Sequence, residues 1–142
     1  SLNDPDIRFQ MMWSDPSTAD VIPADLQDQA ARFAFGRMQF RAFMQRIGTN
    51  TMVRGHEKVV SGVSEAYDDD LGRLITVFSA GGKDNNDLPP ESTDREVTPM
   101  ALTITHDGAT ARVVPWEPDW RSYNDPERNA FFKVAPEIEH RT

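Results

Sequence analysis

A chain of 142 residues with a net charge of −8 is long enough for one modest domain with its own core. It is too acidic to make nucleic acid a general partner, because phosphate backbones need neutralising cations. It holds no cysteine, which excludes disulfides and thiolate metal sites. No apolar run approaches the roughly 20 residues that span a bilayer, and Ser1-Leu2-Asn3-Asp4-Pro5 has neither the basic nor the apolar region of a signal peptide. A soluble, cytoplasmic protein with no membrane partner is expected.

Residues 1–8 are polar and contain proline, which predicts an opening loop. Phe9 to Trp13 is a short apolar run stopped by Ser14-Asp15-Pro16, and reads as a buried strand ending in a turn. Residues 16–31 carry two prolines and several Asp and Gln, so a loop with at most one short turn of helix is expected. From Phe35 to Ile47 the period becomes helical: Phe40, Phe43, Met44 and Ile47 fall at i, i+3, i+4 and i+7 on one face, which predicts burial against a sheet. Gly48 is the expected C-cap. Between Gln29 and His56 lie five arginines and no acidic residue. Arg37, Arg41 and Arg46 fit the solvated face of that helix, while Arg32 and Arg54 fall outside it and are candidates for anion contact.

Thr51–Arg54 reads as a strand followed by Gly55-His56, and Val59–Tyr67 as a loosely alternating segment ending in the acidic turn Asp68-Asp69-Asp70-Leu71-Gly72. That turn lacks the spacing of a calcium loop. Arg73–Ala80 is the clearest buried strand. Residues 81–99 form a long surface loop by composition, and loops of that length in compact domains are commonly functional or disordered. Ala101–Thr105 and Thr110–Val114 flank His106-Asp107-Gly108-Ala109, a hairpin signal that leaves His106 in solvent. After Pro115 the chain loses any period and is expected to wrap over the surface, anchored by Trp116, Trp120 and Phe131-Phe132; His140 there is uninformative. Strand, helix, strand and then mostly antiparallel strands suggest half of a layered α/β sandwich.

His56 is the foremost chemical candidate. Neutral imidazole binds zinc, manganese or iron, and the preceding Gly55 is expected to let the backbone turn sharply. A lone histidine at a strand end is otherwise structural or superficial.

Trp13-Ser14-Asp15-Pro16, Arg54-Gly55-His56-Glu57-Lys58-Val59-Val60 and Phe78-Ser79-Ala80 stand in an order and at a spacing that resembles the C-terminal half of the phosphoprotein phosphatases, the calcineurin-like metallophosphoesterases. The resemblance covers roughly residues 9–116. It implies that His56 is a ligand of one of two bridged metals and that the Trp13–Pro16 turn shapes the edge of the active site, with Asp15 structural. Aligning on Phe35-Gly36 puts Gln29 where the family has a phosphate-contacting arginine. Arg32, three residues on, is expected to reach that phosphate from a shifted loop, since a guanidinium pairs with two phosphate oxygens at once; the alternative is the start of a surface helix. The family's Pro-Asn-Tyr after Phe-Ser-Ala is replaced by Gly81-Gly82-Lys83, which leaves Lys83, Asn85 or Asn86 to stand in for the tyrosine.

The family's Gly-Asp-x-His, Gly-Asp-x-x-Asp-Arg-Gly and Gly-Asn-His-Glu motifs do not occur here. The resemblance therefore implies no catalytic residue in this chain. It implies two divalent metal ions (manganese, iron or zinc) shared with an N-terminal fragment of the same phosphatase domain that lies outside the chain. The implied fold is α/β, the second half of the layered α/β/β/α sandwich of metallo-dependent phosphatases. Residues 1–116 would belong to that domain and residues 117–142 would form an extension on its surface. The expected activity is that of a dinuclear-metal phosphoester hydrolase, serine/threonine-protein-phosphatase-like. Its substrate would be a phosphorylated protein, a nucleoside polyphosphate or a small phosphoester, with loop 81–99 bordering the site. The alternatives are a non-catalytic phosphatase-like binding module and an unrelated β-rich binding domain.

Overall fold

The computed structural model describes residues 4–27, 32–70, 72–85, 88–107, 110–123 and Glu127. The chain opens on a helix, α1 (Pro5–Trp13), where a loop and a buried strand were expected. Local chemistry explains the difference. Asp4 caps the helix by accepting from the Asp6 N–H at 2.9 Å, and Pro5 occupies the first turn, where its missing N–H costs nothing. The apolar run Phe9–Trp13 buries none of its side chains, and Met11 is 68% exposed.

A short helix, α2 (Ala24–Gln27), follows within the expected loop. Backbone bonds then tie residues 15–20 to the approach of the next helix: Ser17 N–H donates to Phe35 O at 2.9 Å and Met38 N–H to Asp20 O at 2.8 Å. α3 (Arg37–Ile47) begins at Gly36, whose N–H is taken by the Gln39 side chain at 2.7 Å, and ends at Gly48 in the left-handed conformation with φ 69°, as expected of a C-cap.

Half of the predicted apolar stripe on α3 is buried. Phe40 and Met44 form a core with Tyr67 and Leu74, bordered by Phe35 and Met52. Phe43 and Ile47 are 47% and 51% exposed, so the rest of the stripe has no cover among the described residues. Each buried side chain of this size contributes about 1.5–3 kcal/mol by leaving water. The phenol of Tyr67 donates to Ser17 O at 2.6 Å, which satisfies its one buried polar group. Arg37 and Arg41 are not simply a solvated face: Asp69 holds Arg41 at 2.7 Å and Arg37 at 3.8 Å, and the Arg37 guanidinium stands 5.6 Å from the Tyr67 ring.

The main sheet has three strands in the order β1 (Thr51–Arg54), β3 (Gly72–Val77) and β2 (Val63–Asp69). β1 runs parallel to β3, with Val53 opposite Ile75, and β2 runs antiparallel to it, with an irregularity between Glu65 and Tyr67. β3, the strand with the strongest apolar signal, takes the centre; Leu74, Ile75 and Thr76 are all buried. A second sheet is the predicted hairpin, β4 (Ala101–Asp107) with β5 (Thr110–Trp116). His106 is exposed as expected, within β4 opposite Ala111 rather than in the turn. Gly108 and Ala109 lie outside the described residues, as do Gln29, Asn86, Phe131, Phe132 and His140. The architecture is thus mixed α/β, one helix laid on a small sheet with a separate hairpin.

The segment 81–99 is more than a surface loop. It contains a 3-10 turn (Thr93–Glu96), and the Arg95 guanidinium gathers the carbonyls of Lys83, Leu88 and Pro89. Gly82, with φ 107°, lies under the Trp120 ring of α4 (Trp120–Tyr123), and a Cβ there would sit 2.8 Å from the indole. Trp120 anchors the chain as expected, whereas Trp116 is largely exposed. A groove of about 380 Å³ opens between α1, α3 and β1, walled by Met11, Phe35, Phe40, Phe43 and Met52. No helix among the described residues is long and apolar enough to cross a membrane.

Candidate functional site

Because β1 and β3 are parallel, the loops that leave their C-terminal ends emerge on the same side of the sheet, where open α/β sheets place their ligands. β1 delivers Arg54, Gly55, His56 and Glu57 there. His56 itself adopts φ 76°, the left-handed region that a residue with a Cβ rarely enters. The sharp turn expected of Gly55 is therefore made by the histidine. Gly55 has no positive φ, and a Cβ on it would meet nothing closer than Val77 O at 3.8 Å. Such strain, of order 1–3 kcal/mol, persists where surrounding contacts over-determine the conformation.

Those contacts come from two other segments. The Trp13 ring and the exposed His56 imidazole meet edge to face, 4.4 Å between centroids, with the planes at 67°. Trp13 is in turn stacked on Phe9 at 6.0 Å. Arg32, 24 positions before His56, places Nη1 at 3.3 Å from the imidazole Nε2. The same Nη1 lies 3.6 Å from Asp15 Oδ2. The two residues that the sequence marked for metal and phosphate are thus adjacent in space.

Arg54 is the hub of the corner. Its Nη2 donates to Asp15 Oδ1 at 2.7 Å and to Ser14 O at 3.1 Å, and its Nη1 to Glu57 Oε2 at 3.0 Å. With its side chain 12% exposed, it is committed to these partners, and it clamps the turn after α1 to the loop that carries His56. The expectation of an anion contact for Arg54 is met from within the chain: the anions are Asp15 and Glu57. Asp15 bridges Arg54 and Arg32. Beyond it, Gln10 Oε1 accepts from both Ser14 Oγ and Phe33 N–H at 2.9 Å, which fixes the segment next to Arg32 against α1.

The loop after β3 closes the other flank. Lys58, two residues past His56, pairs with Asp94 at 3.0 Å and donates to Thr93 Oγ1 at 2.8 Å, so segment 81–99 is tied directly to the His56 loop. Ser79 Oγ donates to Met100 O at 2.7 Å, and Asn85 Nδ2 to Gly81 O at 2.9 Å, so both serve their own loop. Lys83 is exposed. Glu57 and Lys58 stand in the Arg54–Val60 motif without a role of their own, and nothing in the sequence pointed to the Trp13–His56 contact. The first two stood beside the histidine and carried the signal of charge; the third joins residues 43 apart in sequence and had none.

The residues present do not fit a metal centre by themselves. Among the described residues no three His, Asp or Glu come together to hold an ion. The carboxylates nearest His56 in this network, Asp15 and Glu57, are each held by an arginine. The chain offers one imidazole and an arrangement of guanidinium groups around it, the chemistry of one edge of an anion-binding site.

No protein-family model matches the chain. Over 70 residues, 49% of its length, it is 34% identical to the protein named serine/threonine-protein phosphatase 4 catalytic subunit in Saccharomyces cerevisiae. Proteins of the same name from Eremothecium gossypii and Kluyveromyces lactis match it at the same identity over the same length. The matched stretch is 21% of each relative's own length, so the chain corresponds to about a fifth of these proteins. A match of that extent fits a chain that carries part of a phosphatase domain.

Proposed function

We infer, from a chain related to phosphoprotein phosphatases over half its length, that it supplies one corner of a metal-dependent phosphoester hydrolase that is serine/threonine-protein-phosphatase-like. His56 is one metal ligand in this reading, and Arg32 contacts the substrate phosphate. The remaining ligands, and the acid that protonates the leaving group, come from an N-terminal part of the same domain. That part would complete a layered α/β/β/α sandwich, with residues 1–116 belonging to the domain and 117–142 forming an extension. The observation that carries the reading is the meeting of Arg32 and His56, 3.3 Å apart, on a clamp of Arg54 and Asp15 beyond parallel strand ends. The exposed side chains of α1 and the apolar groove beside α3 support the completion, because a face of this kind is normally covered. Loop 81–99, tied to Lys58, would border the substrate and filter it. A phosphorylated protein is the substrate proposed.

The test is His56→Ala in the longer protein that contains the N-terminal part, assayed on a phosphopeptide and on a small phosphate monoester, with bound metal counted by elemental analysis. Loss of one metal together with most of the activity on both substrates is expected. Full activity with unchanged metal content would overturn the assignment of His56, and a lack of both bound metal and activity in the unsubstituted protein would leave a non-catalytic phosphatase-like module as the better account.

A further inference from the structure

The Gly81-Gly82 pair has a steric reason. A Cβ on Gly81 would sit 2.4 Å from Asp94 O and 2.8 Å from the Val97 Cβ, and one on Gly82 would sit 2.8 Å from the Trp120 indole. The backbone leaving β3 thus meets the 3-10 turn Thr93–Glu96 at one glycine and the ring of α4 at the next, with φ 112° and 107°. The turn is tied by polar groups: Gly82 N–H donates to Asp94 O at 3.2 Å, and Lys58 reaches Asp94 at 3.0 Å from the His56 loop. Trp120 holds by area, a large flat ring laid against bare backbone.

We propose that Trp120 is a positioning residue: its indole holds the base of loop 81–99 in place beside the His56 loop, and through that base it helps to set which substrates the loop admits. Three observations converge. Arg95 spends its guanidinium on the carbonyls of Lys83, Leu88 and Pro89, so a shift at the base is carried along the loop and not absorbed locally. The base is linked to the candidate site by Lys58, whose Nζ also donates to Thr93 Oγ1. Trp120 stands outside the core of Phe40, Met44, Tyr67 and Leu74, so its packing serves the loop and not the centre of the fold. The consequence for substrates rests on the phosphatase reading above; the hold on the loop does not.

Amide hydrogen exchange in the 142-residue chain tests the hold. Gly82 and Val97 both donate their N–H groups to Asp94 O, and Trp120→Ala is expected to speed exchange at these two amides about tenfold. The amides of β3 should not change, which shows that the fold is intact. Trp120→Phe, which keeps a ring, should restore most of the protection. Gly82→Ala drives a Cβ into the indole and should also speed exchange at Val97, and combined with Trp120→Ala it should give less than the sum of the two effects. Unchanged exchange at both amides in Trp120→Ala would overturn the proposal. In the longer protein that contains the N-terminal part, Trp120→Ala should raise KM for a phosphopeptide roughly three- to tenfold, as expected when fewer molecules hold the binding-ready loop. Its kcat and its turnover of a small phosphate monoester should stay as they were. Equal losses on both substrates would overturn the role in substrate choice. A longer protein with no phosphatase activity would sink the phosphatase reading alone, since hydrogen exchange reads the hold of Trp120 without it.

Discussion

Behind α3, the side chains of Phe40, Met44, Tyr67 and Leu74 are withdrawn from water, whereas around His56 the imidazole, Trp13, Arg32, Asp15 and Glu57 all keep a substantial part of their surface wet. The first region is held by area and shape, which act only when the groups fit together. The second is held by charge pairs and one ring edge, and charge pairs can change partners without leaving a cavity. The contrast teaches what each region rests on. Phe40, Met44, Tyr67 and Leu74 cover one another, although Phe43 and Ile47 beside them stay exposed, while the corner around His56 is an arrangement of partly exposed charged groups. Arg54 is the exception that joins the two regimes, a charge nearly as shielded as the core.

Three substitutions would sharpen or break that contrast. Met44→Ala, at a fully buried position of the core, is expected to lower stability by about 2–5 kcal/mol in urea denaturation, because the cavity adds to the lost transfer energy. A loss below about 1 kcal/mol would mean that the core does not carry the fold. Arg54→Ala should cost about 1.5–3 kcal/mol, as it strands Asp15 and Glu57 and frees the loop of His56 from the turn after α1. If it cost no more than a surface ion pair, the corner would be held by something other than this clamp.

Tyr67→Phe is the smallest, about 1–2 kcal/mol at neutral pH, since Ser17 O and Phe35 O lose a buried donor. Its signature is at alkaline pH. Burial raises the Tyr67 phenol above the ordinary value of 10.0, with the Arg37 guanidinium working the other way. The unfolded chain thus loses this proton first as pH rises, so the contribution is fully present below pH 10 and falls away above it. The phenylalanine variant should show a shallower alkaline decline in thermal stability. Identical slopes would assign the decline to other groups.

Much of the fold was legible in the order of residues. The helix 37–47 declared itself by period and by Gly48, the central strand by Leu74, Ile75 and Val77, and the hairpin by its Asp-Gly between two β-rich runs. These signals lie within a few positions of one another. α1 was misread because Phe9–Trp13 looks like a buried strand when burial is inferred from apolarity alone. The Asp4-Pro5 pair that starts the helix was equally visible, and local capping prevailed where, among the described residues, none of the α1 side chains is buried. Phe43 and Ile47 show the same limit: the period placed them correctly on a face, but the width of the buried part depends on what lies opposite.

The sequence by itself determined which residues could carry chemistry, His56 and Arg32, and the strand and helix that flank them, because imidazole, guanidinium, caps and periods are properties of short stretches. It also determined that the chain lacks the motifs for a complete metal site. Only the tertiary structure decided that Arg32 lies against His56 Nε2, that Arg54 spends its charge on Asp15, and that the histidine, not the glycine before it, bears the left-handed turn. The physical reason is that each of these is a choice of partner or backbone angle made by three separate segments converging beyond the parallel strands, and no local pattern encodes a choice that depends on groups dozens of residues away.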